Sequence, residues 1–143
     1  GVAAALRRHG LIERSILSSF HVYALRRFRE LEPQVRLGIS FPRGWFDIDR
    51  RRGFGPVVKG GLFGLRIVTP ALVGVLLARS HATALVLHHE LVSAAAVRRA
   101  HARGAPVLTW TVDSREDLAR VDEAGVDAVV TNDPSIFLST LQT

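Results

Sequence analysis

Apolar residues along this chain follow two alternating rhythms. Short runs rich in Ile, Val and Leu are separated by longer stretches in which apolar positions recur every three or four residues. The runs predict strands, the longer stretches predict amphipathic helices, and their alternation predicts parallel β/α units. Val2 to Leu11 is Ala-rich and closed by Gly10, the tail of a helix. Strands are expected at Ile16 to Phe20, Val35 to Ser40, Thr83 to His89, Pro106 to Val112 and Val126 to Thr131. Between the first two, Val22, Leu25, Phe28 and Leu31 share a helix face, and Pro33 halts that helix. Ser93 and Ser114 stand at the N-caps of two further helices that Gly104 and Gly125 close. Pro134 opens a last helix expected to reach Leu141.

Phe41 to Arg66 breaks the rhythm. The segment holds six of the chain's 12 glycines, Trp45, Phe46, Phe54 and Phe63, and the triplet Arg50-Arg51-Arg52. Such glycine density predicts irregular backbone, here an extended loop over the mouth of a barrel. Its arginine triplet is expected to be solvated. Thr69-Pro70 then reads as an N-cap with proline at the first helical position, opening a helix to Arg79. The longest apolar stretch, Ile67 to Ala78, falls short of the roughly 20 residues a bilayer needs, so no transmembrane segment is expected.

At 143 residues the chain is one domain in size, whereas a complete eight-fold barrel takes about 250. The chain contains no methionine, so Gly1 is not expected to be a translation start. Without cysteine, disulfides and thiolate metal sites are excluded, and no compartment is fixed. The net charge is +6, carried by arginines spread along the predicted helix faces. A nucleic-acid binder would cluster them on one surface, so no nucleic-acid partner is expected.

Candidate chemistry belongs where strands end, since parallel β/α folds place their sites there. That points to Ser19, Phe20, Trp110, Asp113, Asn132 and Asp133. His88-His89-Glu90 ends another strand, and adjacent strand residues face opposite ways, so at most one imidazole looks inward. A cation site needs converging ligands, which makes a polar strand end the better reading of this trio. An inward histidine would instead donate to a substrate oxygen. Asp113 and Asp133 precede Ser114 and Pro134, so helix capping is expected of both. His9, His21, His81 and His101 are expected to be solvated.

The ordered stations Ile16-Leu17-Ser18-Ser19-Phe20, Trp110-Thr111-Val112-Asp113 and Gly125 to Pro134 (GVDAVVTNDP) resemble the glycerophosphodiester phosphodiesterase family over residues 14–137. The resemblance implies an α/β fold, a partial TIM (β/α)8 barrel of about five parallel strands with intervening helices. Residues 1–143 would be the C-terminal portion of one phosphodiesterase domain, with the extended loop and helix at 41–80. The implied reaction is metal-dependent hydrolysis of a glycerophosphodiester to glycerol phosphate and an alcohol, in lipid metabolism. The family's His-Arg-Gly, Glu-x-Asp, His-Asp and Glu-x-Lys motifs do not occur here, and Arg8-His9-Gly10 is only a scrambled echo of the first. No catalytic or metal residue is therefore assigned. Ser19, Phe20, His89 and Trp110 are expected to bind substrate. A divalent cation, Mg or Ca, is implied for the complete domain but not for this chain alone, which is expected to be inactive. Expected partners are the substrate and either an N-terminal half or a second copy meeting the open sheet edges. The alternative is a non-catalytic, truncated barrel acting as an association module, because natural proteins rarely leave strand edges bare.

Overall fold

Five strands lie side by side in chain order in the computed structural model, which describes residues 1–42 and 55–138, the side chains of 55–60 and 62 excepted. They are β1 (Ile16–Ser19), β2 (Arg36–Phe41), β3 (Ala84–His88), β4 (Val107–Trp110) and β5 (Ala128–Val129), each paired in parallel with the next. Parallel neighbours require a crossover between them. Helices α2 (Val22–Leu31), α3 (Gly55–Ser80), α4 (Ala94–His101) and α5 (Arg115–Glu123) supply the four crossovers, and α1 (Val2–Arg8) precedes β1. This is the arc of a β/α barrel, in agreement with the expected fold class.

Strand alternation sorts the side chains into two layers. Leu37, Ile39, Leu85, Leu87 and Val107 are buried beneath the helices, where they meet Leu25, Val73, Leu77, Val97 and Val121. Burying each of these leucines fully contributes about 1.5–3 kcal/mol, which makes the sheet–helix layer the main stabilising element. The opposite parity (Ile16, Ser18, Gly38, Ser40, Val86 and Trp110) lies on the concave face. Helix ends follow local chemistry. The Ser93 and Ser114 hydroxyls accept from the Ala96 and Asp117 amides at 3.3 and 3.1 Å. Gly104 and Gly125 adopt φ of +68° and +83°, the left-handed conformation that ends a helix cheaply only at glycine.

Two expectations about elements are corrected. The segment read as loop up to Arg66 is helical from Gly55, and Thr69-Pro70 lies inside α3 instead of opening a helix. Thr69 is buried and its hydroxyl donates to the Leu65 carbonyl at 2.7 Å, the back-bonding a mid-helix threonine makes instead of capping. The expected loop over residues 43–54, with Arg50-Arg51-Arg52, lies outside the described residues. Within α3, Phe63–Ser80 has a mean hydropathy of 1.4 over 18 residues and is long and apolar enough to cross a membrane by length and composition. The apolar stretch is thus longer than the sequence suggested. The last element among the described residues is a 3-10 turn at Pro134–Phe137, started by Asp133, whose carboxylate accepts from the Ser135 amide at 3.0 Å; the rest of the helix expected to reach Leu141 lies outside the described residues.

Candidate functional site

The C-terminal ends of the strands surround an open cavity of about 460 Å³ lined by Ser18, Phe20, Ser40, Val86, Trp110, Thr111 and Val130. Its wall is an aromatic corner. Phe20 follows β1, Trp110 ends β4, and their rings meet edge to face with centroids 5.8 Å apart. His88 is in register with Trp110 and packs edge-on against it at 5.1 Å. Ser18 and Ser40 put two hydroxyls on the same concave surface. The cavity therefore offers an apolar wall and a polar floor, suited to a small polyol with one C–H face and several oxygens.

Phe20 and Trp110 share this cavity, as their expected role requires. Ser19 and His89 do not line it. Ser19 has the parity of the helix-facing layer, and its hydroxyl accepts from the His21 amide at 3.1 Å, closing the turn after β1. His89 lies in the 3-10 turn His89–Leu91, where its Nδ1 is 3.2 Å from the Arg120 guanidinium and 3.3 Å from the Asp117 carboxylate. Ser18 and His88, one residue earlier in each case, have the concave-face parity instead, and of these two Ser18 lines the cavity. The signal that could have found them is register: Trp110 points inward, and its partner across β3 is His88. Ser40 had the same signal, lying in register with Val86.

Asp113 is the second correction. It caps no helix. Its carboxylate accepts from the Asn132 amide N–H at 2.8 Å, the Asn132 side-chain Nδ2 at 2.9 Å and the Thr131 hydroxyl at 3.2 Å. These hydrogen bonds, the Asn132 amide first, hold its carboxyl below the usual range and tie the β4 and β5 ends of the mouth together. His101 is likewise engaged, its Nε2 2.8 Å from an Asp127 oxygen that also accepts from the Val107 amide at 2.7 Å.

Asp117 anchors His89's side of the mouth. Burial opposes its charge, but hydrogen bonds from Arg120 and from the Ser114 hydroxyl outweigh that and hold its carboxyl at about 2, against an ordinary 3.8. A lowered folded pKa stabilises above the unfolded value, and that contribution disappears as pH falls through the folded one. Wild type should therefore exceed Asp117→Asn in stability by about 1 kcal/mol at neutral pH, discounted for partial exposure. The gap should close between pH 3.8 and about 2, measured by urea denaturation across that window. A gap independent of pH would show that the carboxylate's charge is not what stabilises the turn.

Residues 2–136 match the glycerophosphoryl diester phosphodiesterase family. The chain belongs to that family. A glycerophosphodiester phosphodiesterase of Caldanaerobacter subterraneus subsp. tengcongensis is 26% identical over 138 residues, which cover 96% of this chain and 46% of that protein. Among solved structures, a Silicibacter pomeroyi DSS-3 protein named for the same family superposes with a TM-score of 0.72 at 26% identity, over 99% of this chain and 42% of its own. An Oleispira antarctica phosphodiesterase, in complex with the product sn-glycerol-3-phosphate, shares the fold with a TM-score of 0.59 at 19% identity, over 90% of this chain and 42% of that one. The chain thus spans less than half the length of these phosphodiesterase relatives.

Proposed function

We propose that this chain supplies the substrate-side wall of a glycerophosphodiester hydrolase. Family membership supports the reaction class, and the aromatic corner over two serine hydroxyls supports the substrate class. In the reaction, water's oxygen forms a bond to phosphorus while the bond from phosphorus to the alcohol oxygen breaks. Phe20 and Trp110 cover the C–H face of the glycerol moiety, and the Ser18 and Ser40 hydroxyls bond its oxygens. The His88 imidazole packs against the Trp110 ring and supports that wall. The product carried by the Oleispira antarctica relative, sn-glycerol-3-phosphate, is a ligand of the size and polarity this cavity would take.

A divalent cation, Mg or Ca, would neutralise charge on the phosphoryl oxygens. The described residues do not fit one. No group of three or more His, Asp or Glu side chains converges among them, and the Asp113 carboxylate already serves Asn132 and Thr131. A cation would be held by other residues of a complete domain.

The reading is tested by exchange. Residues 2–136 replace the matching segment of the Caldanaerobacter subterraneus enzyme, and hydrolysis of glycerophosphocholine is followed with added Mg or Ca. The chimera is expected to turn over, and the 143-residue chain alone is expected not to. Rapid hydrolysis by the chain alone would refute this placement of the reactive groups. A folded but inactive chimera would favour the association module instead. That reading draws on β1 and β5, each with one strand neighbour among the described residues, and on the exposed apolar residues Ile16 within β1 and Val130 just after β5.

A further inference from the structure

Among the described helices, α3 presents an outward face unlike that of any other. Thr69, Val73, Leu77 and Ser80 form its buried stripe. On the opposite side Phe63 and Ile67 are each 66% exposed, Val75 50%, Val68 46% and Leu72 36%. Gly64, Ala71 and Ala78 are exposed between them, so this ridge carries no polar side chain before Arg79. Exposed apolar residues scattered singly are ordinary on a protein surface, whereas a continuous ridge marks an interaction surface. The neighbouring helices turn outward quite differently, with Arg26, Arg27 and Glu30 on α2 and Arg98 and Arg99 on α4.

Guanidinium groups border the ridge on both flanks. On the α2 side, Arg26 donates to the Arg79 carbonyl at 2.6 Å and Arg29 to the His81 carbonyl at 3.4 Å. On the α4 side, the Arg103 guanidinium covers Gly74 so closely that a Cβ there would stand 2.7 Å from it, and Arg103 also donates to the Arg99 carbonyl at 3.2 Å. Within α2, α3 and α4 the one acid is Glu30, paired with Arg27 at 2.7 Å. Acids gather instead on α5, as Glu116, Asp117, Asp122 and Glu123. Arginines occur on every α-helix, but α2, α3 and α4, the helices that carry and flank the ridge, each have an excess of positive over negative charge, whereas α5 has an excess of negative.

We infer that α3 docks on an anionic phospholipid surface, lying in the interface with Phe63, Ile67, Leu72 and Val75 among the acyl chains. Arg26, Arg79 and Arg103 then meet headgroup phosphates, since guanidinium forks match phosphate oxygens and their aliphatic stems tolerate the apolar boundary. An apolar helix face within a basic rim is the arrangement that binds such surfaces. A spanning orientation would tear Thr69, Val73 and Leu77 from the core. A second copy related by a two-fold axis would bring the two arginine rims together, so charge favours the bilayer.

Vesicle flotation of the full chain tests this independently of any hydrolysis. The chain is expected to float with vesicles of phosphatidylcholine containing about one third phosphatidylglycerol, and much less with phosphatidylcholine alone. Binding should weaken as salt is raised. The triple variant Phe63→Glu, Ile67→Glu, Leu72→Glu should bind at least about tenfold less, with an unchanged melting temperature. A wild type that ignores both vesicles, or a triple variant that binds as wild type does, overturns the inference. So does a light-scattering dimer that the triple variant splits without any vesicle binding, which would assign the ridge to a second copy. Should the triple variant misfold, Phe63→Trp gives the answer: brominated lipid must quench its added fluorescence, and unquenched emission overturns docking.

Discussion

Trp110→Ala is expected to cost the chain about 2–4 kcal/mol of stability and to lower affinity for sn-glycerol-3-phosphate by about tenfold or more. The residue holds both the Phe20 edge, at 5.8 Å, and the His88 ring, at 5.1 Å, so its removal opens the wall where the two strand ends meet. Alanine leaves a void the size of an indole between groups that the sheet prevents from closing in. Edge-to-face pairs contribute about 0.5–1.5 kcal/mol beyond area burial, and two are lost at once. Trp110→Phe keeps an aromatic edge at the corner and should recover part of both effects. Thermal melting and titration with the glycerol phosphate read the two effects separately. If the alanine variant lost stability yet kept full affinity, Trp110 would be filler and the substrate wall would lie elsewhere.

The strands and the Ser93, Ser114 and Asp133 caps were legible because each rests on local chemistry. An apolar run bounded by turn residues, or a serine before a helix, carries its meaning within a few positions. The phase of the site residues was not legible in the same way. Ile16-Leu17-Ser18-Ser19 has two apolar residues followed by two polar ones, so alternation cannot say which serine looks inward. Pairing decides it, because Ser18 stands opposite Gly38 on the concave face. His88-His89 poses the same ambiguity, and Trp110 resolves it through register with His88. Asp113 misled for a different reason: a carboxylate before Ser114 has two possible sets of donors, and the set it uses comes from the segment after β5, 18 or 19 residues away.

α3 escaped because its composition hides its period. Glycine and proline argue for loop, and a helix apolar nearly all round shows no alternation of faces to read. Pro70 brings no N–H to the turn below it, yet the buried Thr69–Leu65 hydrogen bond and the Val73 and Leu77 contacts keep the helix continuous. The outward apolar ridge and the hidden period have one cause. A helix that must satisfy the sheet on one side and an apolar surface on the other has no room for a polar stripe.

Gly38 shows how closely the concave floor is fitted, and its variants should couple strongly to Val86. A Cβ at Gly38 would stand 2.8 Å from Val86 Cγ2, 3.3 Å from Ser18 Cβ and 3.5 Å from Ile16 Cγ2. Glycine in a strand interior forfeits side-chain packing and chain entropy, so its presence here answers a need for space. Gly38→Ala is expected to lose about 1 kcal/mol, and Gly38→Val about 2–3 as its branches meet Val86 and Ser18 together. Val86→Ala alone removes a 6%-exposed side chain and should cost about 1–2 kcal/mol. Combined with Gly38→Ala it frees the methyl that clashes, so the double variant should be more stable than the sum of the singles by about 1 kcal/mol. Denaturant midpoints of the four proteins measure that coupling. Strict additivity would mean that the floor relaxes freely around position 38. Ser18 and Ser40 would then be held by the strands alone, without the contact between β1, β2 and β3 that Gly38 permits.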